Sequence, residues 1–282
     1  NIYGGMVTRL LGIPHVANIT GLGSAIENKT KLEGLLVLLS RLAFKRTSCI
    51  FFQNKANRDY FIDKNIIPRS YKLIPGSGVN LNKFSYEAYP HDDGRLRFLF
   101  IGRLMKDKGI EDFVEAAQRL KETYDNLDFH VLGSHENGYK ERAEDLYRRG
   151  ICYFHGVTDD VRPYIKKANA VILPSYHEGM SNVLLEAAAM GRPVIASDIP
   201  GCRETFNEGI SGFSFKVKDV DSLVEAVVKF VDMPYEYKVD MGLAGRRKME
   251  REFDRSIVVR DYLNLVEAIL EEGLMAQAVR IS

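Results

Sequence analysis

Residues 170–197 read AVILPSYHEGMSNVLLEAAAMGRPVIAS. Ala170–Leu173 is apolar at every position, and so is most of Pro193–Ala196. Strands apolar on both faces are the mark of a parallel sheet covered on both sides. Between them, Asn182–Met190 has the composition of a buried helix, so the segment is one strand–helix–strand unit.

The same alternation extends in both directions. Further strands are predicted at Leu96–Ile101, Asp128–Leu132, Ile151–Phe154 and Phe213–Phe215. Helices are predicted at Ile110–Tyr124, Tyr139–Arg149, Asp159–Lys167, Cys202–Phe206, Asp221–Val231, Pro234–Glu250 and Ser256–Leu274. This is α/β material with a parallel sheet, in which ligands bind outside the carboxyl ends of the strands. Upstream, a helix at 5–11, a strand at Pro14–Thr20, a helix at Lys31–Phe44, a strand at Cys49–Gln53, a helix at Lys55–Lys64 and a strand at Lys72–Ile74 form a smaller α/β region. Turn formers at Pro75–Gly78 and Pro90–Gly94 mark a linker between the two. The expected organisation is a partial first domain at 1–85, a linker at 86–94, a second domain at 95–259 and a C-terminal helix at 260–282.

Composition narrows the function. With 282 residues, 45% hydrophobic and 27% charged, the chain is an ordinary globular protein of about two domains. Its net charge of +1 gives no basic excess, so nucleic acid is not expected as a partner. Cys49, Cys152 and Cys202 are scattered, which fits neither a disulfide framework nor a zinc site and suits a reducing, cytoplasmic compartment. His91, His130, His135, His155 and His177 show no i,i+4 pairing, so no metal site is expected. No apolar run spans a bilayer.

Two loops carry chemistry. After Leu173, Glu178 precedes a helix whose first turn follows Gly179, Met180, Ser181 and Asn182, and Glu186 lies two turns inside. A helix start of this kind is an anion site, or Glu178 and Ser181 simply cap it; the residues alone leave both readings open. After Ile101, the loop Gly102-Arg103-Leu104-Met105-Lys106-Asp107-Lys108-Gly109 offers Arg103 and Lys108, a fork and a point charge suited to a diphosphate, or a plain solvated charge run. It is not a Walker loop.

Together the loops resemble a known family. Glu178 and Glu186, with seven residues between, followed by AAAMGRPVIAS, resemble the E-x7-E signature of retaining glycosyltransferases of family 4, the glycosyl transferases group 1. GRLMKDKG resembles that family's phosphate loop, and IPGSGVNLNKF at 74–84 its interdomain segment. The resemblance implies a GT-B fold of two Rossmann-like doubly wound domains, the N-terminal one incomplete. It implies a metal-independent, retaining transfer of a sugar from a nucleotide diphosphate sugar, with a lean to UDP, to a saccharide or lipid-linked saccharide acceptor. No cofactor is implied beyond the donor substrate. By the same resemblance, Arg103 and Lys108 hold the diphosphate and Glu178 the sugar hydroxyls. Backbone groups of Gly179, Met180, Ser181 and Asn182 meet the distal phosphate or sugar, Glu186 meets the ribose, Gly102 is a substrate-binding residue of the phosphate loop, and the loop His155-Gly156-Val157 abuts the base.

The first domain departs from the family. Thr20–Gly23, with Gly21, stands where relatives carry a His, and resembles a subgroup that builds bacterial surface polysaccharides and lipid-linked oligosaccharides. Asn1-Ile2-Tyr3-Gly4-Gly5 reads as mid-domain sequence, so the first half of that domain is expected to be missing. Transfer by this chain is then expected to be poor, and its incomplete sheet open to self-association. Lys29, Lys31, Arg41, Lys45 and Arg46 flank the leucines of 32–44; the expected reading is a helix that packs its leucines on the sheet, with peripheral contact with the inner face of a cell membrane as the alternative. The alternatives to a transferase are a non-catalytic nucleotide-sugar-binding fragment and a GT-B sugar-nucleotide epimerase, which lacks this glutamate pattern.

Overall fold

A computed structural model of the chain describes residues 1–22, 32–66, 68–134 and 139–281. Gly23, Lys29, Lys31 and His135, singled out above, lie outside them. The chain forms two compact units, Asn1–Gly78 with Arg255–Ser282, and Val79–Asp254.

The first unit holds α1 (Ile2–Leu11), β1 (Val16–Ile19), α2 (Glu33–Phe44), β2 (Cys49–Phe52), α3 (Lys55–Asp63) and β3 (Tyr71–Leu73). Its three strands pair in parallel in the order β1-β2-β3. β2 is apolar throughout and fully buried. One of its faces packs Ile50 and Phe52 with Val37, Ala43 and Phe44 of α2. The last helix of the chain, Arg255–Ile281, belongs to this unit. Its Tyr262 ring lies 4.2 Å from Phe51, and Val258 completes the cluster with Ile74. The C-terminal helix is therefore no separate element: its apolar residues cover the other face of β2.

The second unit holds β4 (Leu96–Ile101), α4 (Ile110–Lys121), β5 (Leu127–Leu132), α5 (Tyr139–Arg148), β6 (Tyr153–Phe154), α6 (Arg162–Lys167), β7 (Ala170–Leu173), α7 (Asn182–Ala189), β8 (Val194–Ser197), β9 (Gly212–Phe215), α8 (Val220–Val231) and α9 (Tyr235–Lys248). All six strands are parallel, in the order β6-β5-β4-β7-β8-β9. The alternation of side chains splits the core in two. Leu99, Val171 and Val194 face α7, while Phe98, Phe100, Ile172 and Ile195 face α4 and α8. The chain winds outward from β4 through β5 and β6, then returns to β7 beside β4 and winds the other way. That reversal opens a crevice at the carboxyl ends of β4 and β7.

Two expectations change here. The helix at Cys202–Phe206 is a single 3-10 turn, Arg203–Thr205. Cys202, Thr205 and Phe206 are buried for packing rather than by helical periodicity. The linker at 86–94 is not free chain. Tyr89 is buried and its hydroxyl donates to the Asn169 carbonyl at 3.0 Å. The fully buried guanidinium of Arg192 donates to the carbonyls of Glu87 (3.0 Å), Ala88 (2.8 Å), Ile165 (3.1 Å), Lys166 (3.0 Å) and Gly191 (3.1 Å). Burial pulls its pKa down to about 10, so it remains a cation at neutral pH, held by carbonyl dipoles. The turn formers Pro90 and Gly94 thus sit in a strap that Arg192, Tyr89 and the Tyr235 hydroxyl, which donates to the Pro90 carbonyl at 3.2 Å, hold within the second unit. Arg192→Met keeps the volume and strands several buried carbonyls, each worth about 1–3 kcal/mol when unpaired. It is expected to cost at least about 3 kcal/mol in urea unfolding; a loss under about 1 kcal/mol would show that the strap holds without it.

Candidate active site

The two loops named from the sequence flank the crevice at the carboxyl ends of β4 and β7. They are locked together. Gly109 has φ 68°, and a Cβ there would lie 2.0 Å from the Pro174 carbonyl oxygen. The Tyr176 amide donates to the Asp107 carbonyl at 2.9 Å. The Tyr176 hydroxyl donates to Asp112 in the first turn of α4 at 3.2 Å, and Lys218 stands 4.8 Å over its ring. Burial and the carboxylates of Asp112, Asp107 and Glu111 push the Tyr176 phenol up to about 12, which keeps it a donor. On the far side Gly201, at φ 85°, presses on the backbone of Glu178 and Gly179, where a Cβ would come within 2.6 Å of both carbonyl oxygens. Only glycine fits either position.

Within this frame Lys108 and Glu178 meet. Lys108 Nζ lies 2.5 Å from Glu178 Oε1, with 25% and 13% of the two side chains exposed. Glu178 therefore pairs with a cation rather than capping α7. The cap is Ser181, whose Oγ accepts from the Leu184 amide at 3.4 Å. Asn182 opens the helix and is exposed. Met180 is buried in the core, so its backbone alone borders the crevice. Glu186, one turn inside α7, is half-buried. Arg103 is exposed directly after β4.

The neighbouring loops are stitched in series. The Gly102 amide donates to Leu132 (3.0 Å) and the Gly133 amide to Gly156 (2.8 Å). A cleft of about 650 Å³ opens beside them, lined by Leu104, Gly133, Phe154 and Gly156 and by Tyr147 and Arg148 of α5. Val157 follows, 73% exposed. Gly21 lies in the other unit, exposed at the carboxyl end of β1.

Spacing along the chain missed one pair. His130, in β5, and His155, just after the neighbouring β6, stand Nδ1 to Nε2 at 2.9 Å, with ring planes 21° apart. No group of three or more metal-ligating side chains forms among the described residues. Tyr176 was missed as well; nothing in a loop sequence announces that a tyrosine will bridge to a helix after another strand.

The family model for glycosyl transferases group 1 matches residues 83–248, more than half of the chain, and the chain belongs to that family. It is 25% identical to the N,N'-diacetylbacillosaminyl-diphospho-undecaprenol alpha-1,3-N-acetylgalactosaminyltransferase of Campylobacter jejuni, over 96% of this chain and 75% of that protein. It is 28% identical to the UDP-Gal:alpha-D-GlcNAc-diphosphoundecaprenol alpha-1,3-galactosyltransferase of Escherichia coli, over 82% of this chain and 64% of that one. Among solved structures, Anabaena Alr3699/HepE in complex with UDP superposes with a TM-score of 0.81 at 18% identity, covering 95% of this chain and 76% of that one. Sucrose-phosphate synthase from Thermosynechococcus elongatus does so at 0.78 and 20% identity, over 96% and 72%. The fold is GT-B.

The histidine pair has a pH signature. Burial, then the neighbouring His155, holds His130 down to about 4, and burial lowers His155 too. Asp128, Arg97 and Lys121 also act on His130, and Lys167 on His155. Folded values below the unfolded 6.5 mean that the unfolded chain binds more protons between. Stability is therefore expected to fall as pH drops from 6.5 toward 4. His130→Phe, which keeps a ring there, should flatten that slope in urea unfolding across the range; an unchanged slope would assign it to other groups.

Proposed function

We propose that the chain is the donor-binding part of a retaining, metal-independent glycosyltransferase, which moves a sugar from a UDP-sugar to a lipid-linked saccharide. The observation that carries this is the meeting of the Arg103–Lys108 loop and the Glu178–Glu186 helix at the crevice between β4 and β7. Cations there face a diphosphate and carboxylates face hydroxyls, the pairing that a sugar nucleotide requires. Arg103 and Lys108 take the diphosphate. The amides at the start of α7, from Gly179 to Asn182, add the positive end of a helix dipole. These groups stabilise the charge that builds on the departing diphosphate, a role that metal ions fill in other sites. Glu178 accepts hydrogen bonds from the sugar, and Glu186 from the ribose. The cleft beside Gly133 and Gly156 is large enough for a base, with Val157 at its rim.

The acceptor reading rests on the relatives, two of which act on diphospho-undecaprenol saccharides by name. The first unit supports it. α2 buries Val37, Ser40, Ala43 and Phe44 but leaves Leu35, Leu38 and Leu42 exposed, and α1 exposes Tyr3, Val7, Leu10 and Leu11. Exposed Lys45 and Arg46 follow α2. Such a surface suits contact with an anionic membrane, and Gly21 the acceptor side. No described helix is long and apolar enough to cross a membrane.

Calorimetric titration tests the donor assignment. Arg103→Ala and Lys108→Ala should each weaken UDP binding by about 1.5–3 kcal/mol and leave uridine binding unchanged. An equal loss for uridine would remove both residues from the phosphate. EDTA should change UDP affinity by less than about tenfold, or 1.4 kcal/mol; a larger loss would place a metal in the site.

A further inference from the structure

The Lys108–Glu178 ion pair gives one carboxylate a second task. The proposed roles send these side chains to different parts of the donor, Lys108 to the diphosphate and Glu178 to the sugar. In the structure they hold each other at 2.5 Å, largely shielded from water. The carboxylate cannot be relieved by its loop swinging away. That loop is wedged between Gly109 and Gly201, and its Tyr176 is bonded to Asp107 and Asp112. The exchange must therefore take place at the ammonium itself.

A diphosphate that settles on Lys108 displaces Glu178 from its cation and sets two further negative charges beside it. A carboxylate left unpaired in a half-buried place is costly. An intact sugar nucleotide brings sugar hydroxyls that satisfy it; a bare nucleoside diphosphate has only its ribose hydroxyls, which the reading above gives to Glu186. Sites whose polar groups are stranded by the wrong ligand reject that ligand strongly.

Resting on the reading above, we infer that Glu178 is a specificity-determining residue. It occupies Lys108 when the site is empty, competes with the diphosphate for that cation, and so favours the intact sugar nucleotide over the bare nucleoside diphosphate. The same competition favours departure of the product: once the sugar is gone, Lys108 returns to Glu178 and the diphosphate is released. Sugar roles alone would leave UDP binding untouched by a change at Glu178. Competition reverses the expected sign, so that removing this charge tightens UDP.

The test is a calorimetric titration of UDP, and of UDP-glucose, UDP-galactose and their N-acetylamino derivatives, against wild type, Glu178→Gln and Lys108→Met. Melting curves establish that each variant is folded, and Glu178→Ala serves if the Gln variant is not. Glu178→Gln should bind UDP at least about fivefold tighter, and the preference of the protein for the best-bound sugar nucleotide over UDP should shrink by a similar factor. UDP binding that is unchanged or weaker in Glu178→Gln, while Lys108→Met loses UDP, would overturn the competition and leave the diphosphate site standing. UDP binding untouched in Lys108→Met would remove Lys108 from the diphosphate site, and the competition with it.

Discussion

Everything at the candidate site depends on β4 and β7 lying side by side. They are far apart in sequence, yet Phe98 pairs with Ala170 and Leu99 with Val171. The pairing makes the loops after both strands open into one crevice; Gly109 lets the first close to backbone contact with the second at Pro174, and Gly201, in the loop after β8, backs the second at Glu178 and Gly179. Without that closeness Lys108 and Glu178 could not touch. The buried, apolar strands supply the driving force, since Val171, Leu173 and Leu99 leave water when the sheet closes.

The site is arranged to recognise two chemistries at once. The cations Arg103 and Lys108 come from the loop after β4, and the carboxylates Glu178 and Glu186 come from the loop and helix after β7, together with the amides that open α7. One member of each set, Lys108 and Glu178, pairs in the structure. That contact lowers the cost of holding charges half-buried, and it sets the condition that a ligand must meet to replace it: an anion for the lysine together with donors for the glutamate. Stored charge of this kind is a common property of functional sites.

Most of the fold was legible because its strands are runs of mostly apolar residues: Leu96–Ile101, interrupted only by Arg97, and Ala170–Leu173 stand where the pattern predicts them. Glu178, Glu186, Arg103 and Lys108 were legible as a pattern in the loops that the strands define. Several features were hidden, and each for a physical reason. Strand order is a long-range property. The five acceptors of Arg192 come from three separate segments, so nothing near Gly191-Arg192-Pro193 betrays that it fastens residues 87 and 88. His130 in β5 and His155 just after β6 are 25 residues apart, invisible to any spacing rule. The Cys202–Phe206 segment has helix-like composition, but it is too short to be more than a turn.

Hydrogen–deuterium exchange of the full 282-residue chain, with and without a bound UDP-sugar, tests the central claim most directly. If the crevice between β4 and β7 is the donor site, protection should rise in two separate stretches together, residues 102–109 and 174–186, with a smaller gain at 133 and 155–157. Protection that leaves both stretches unchanged while the sugar nucleotide is bound would place the donor elsewhere and contradict the account.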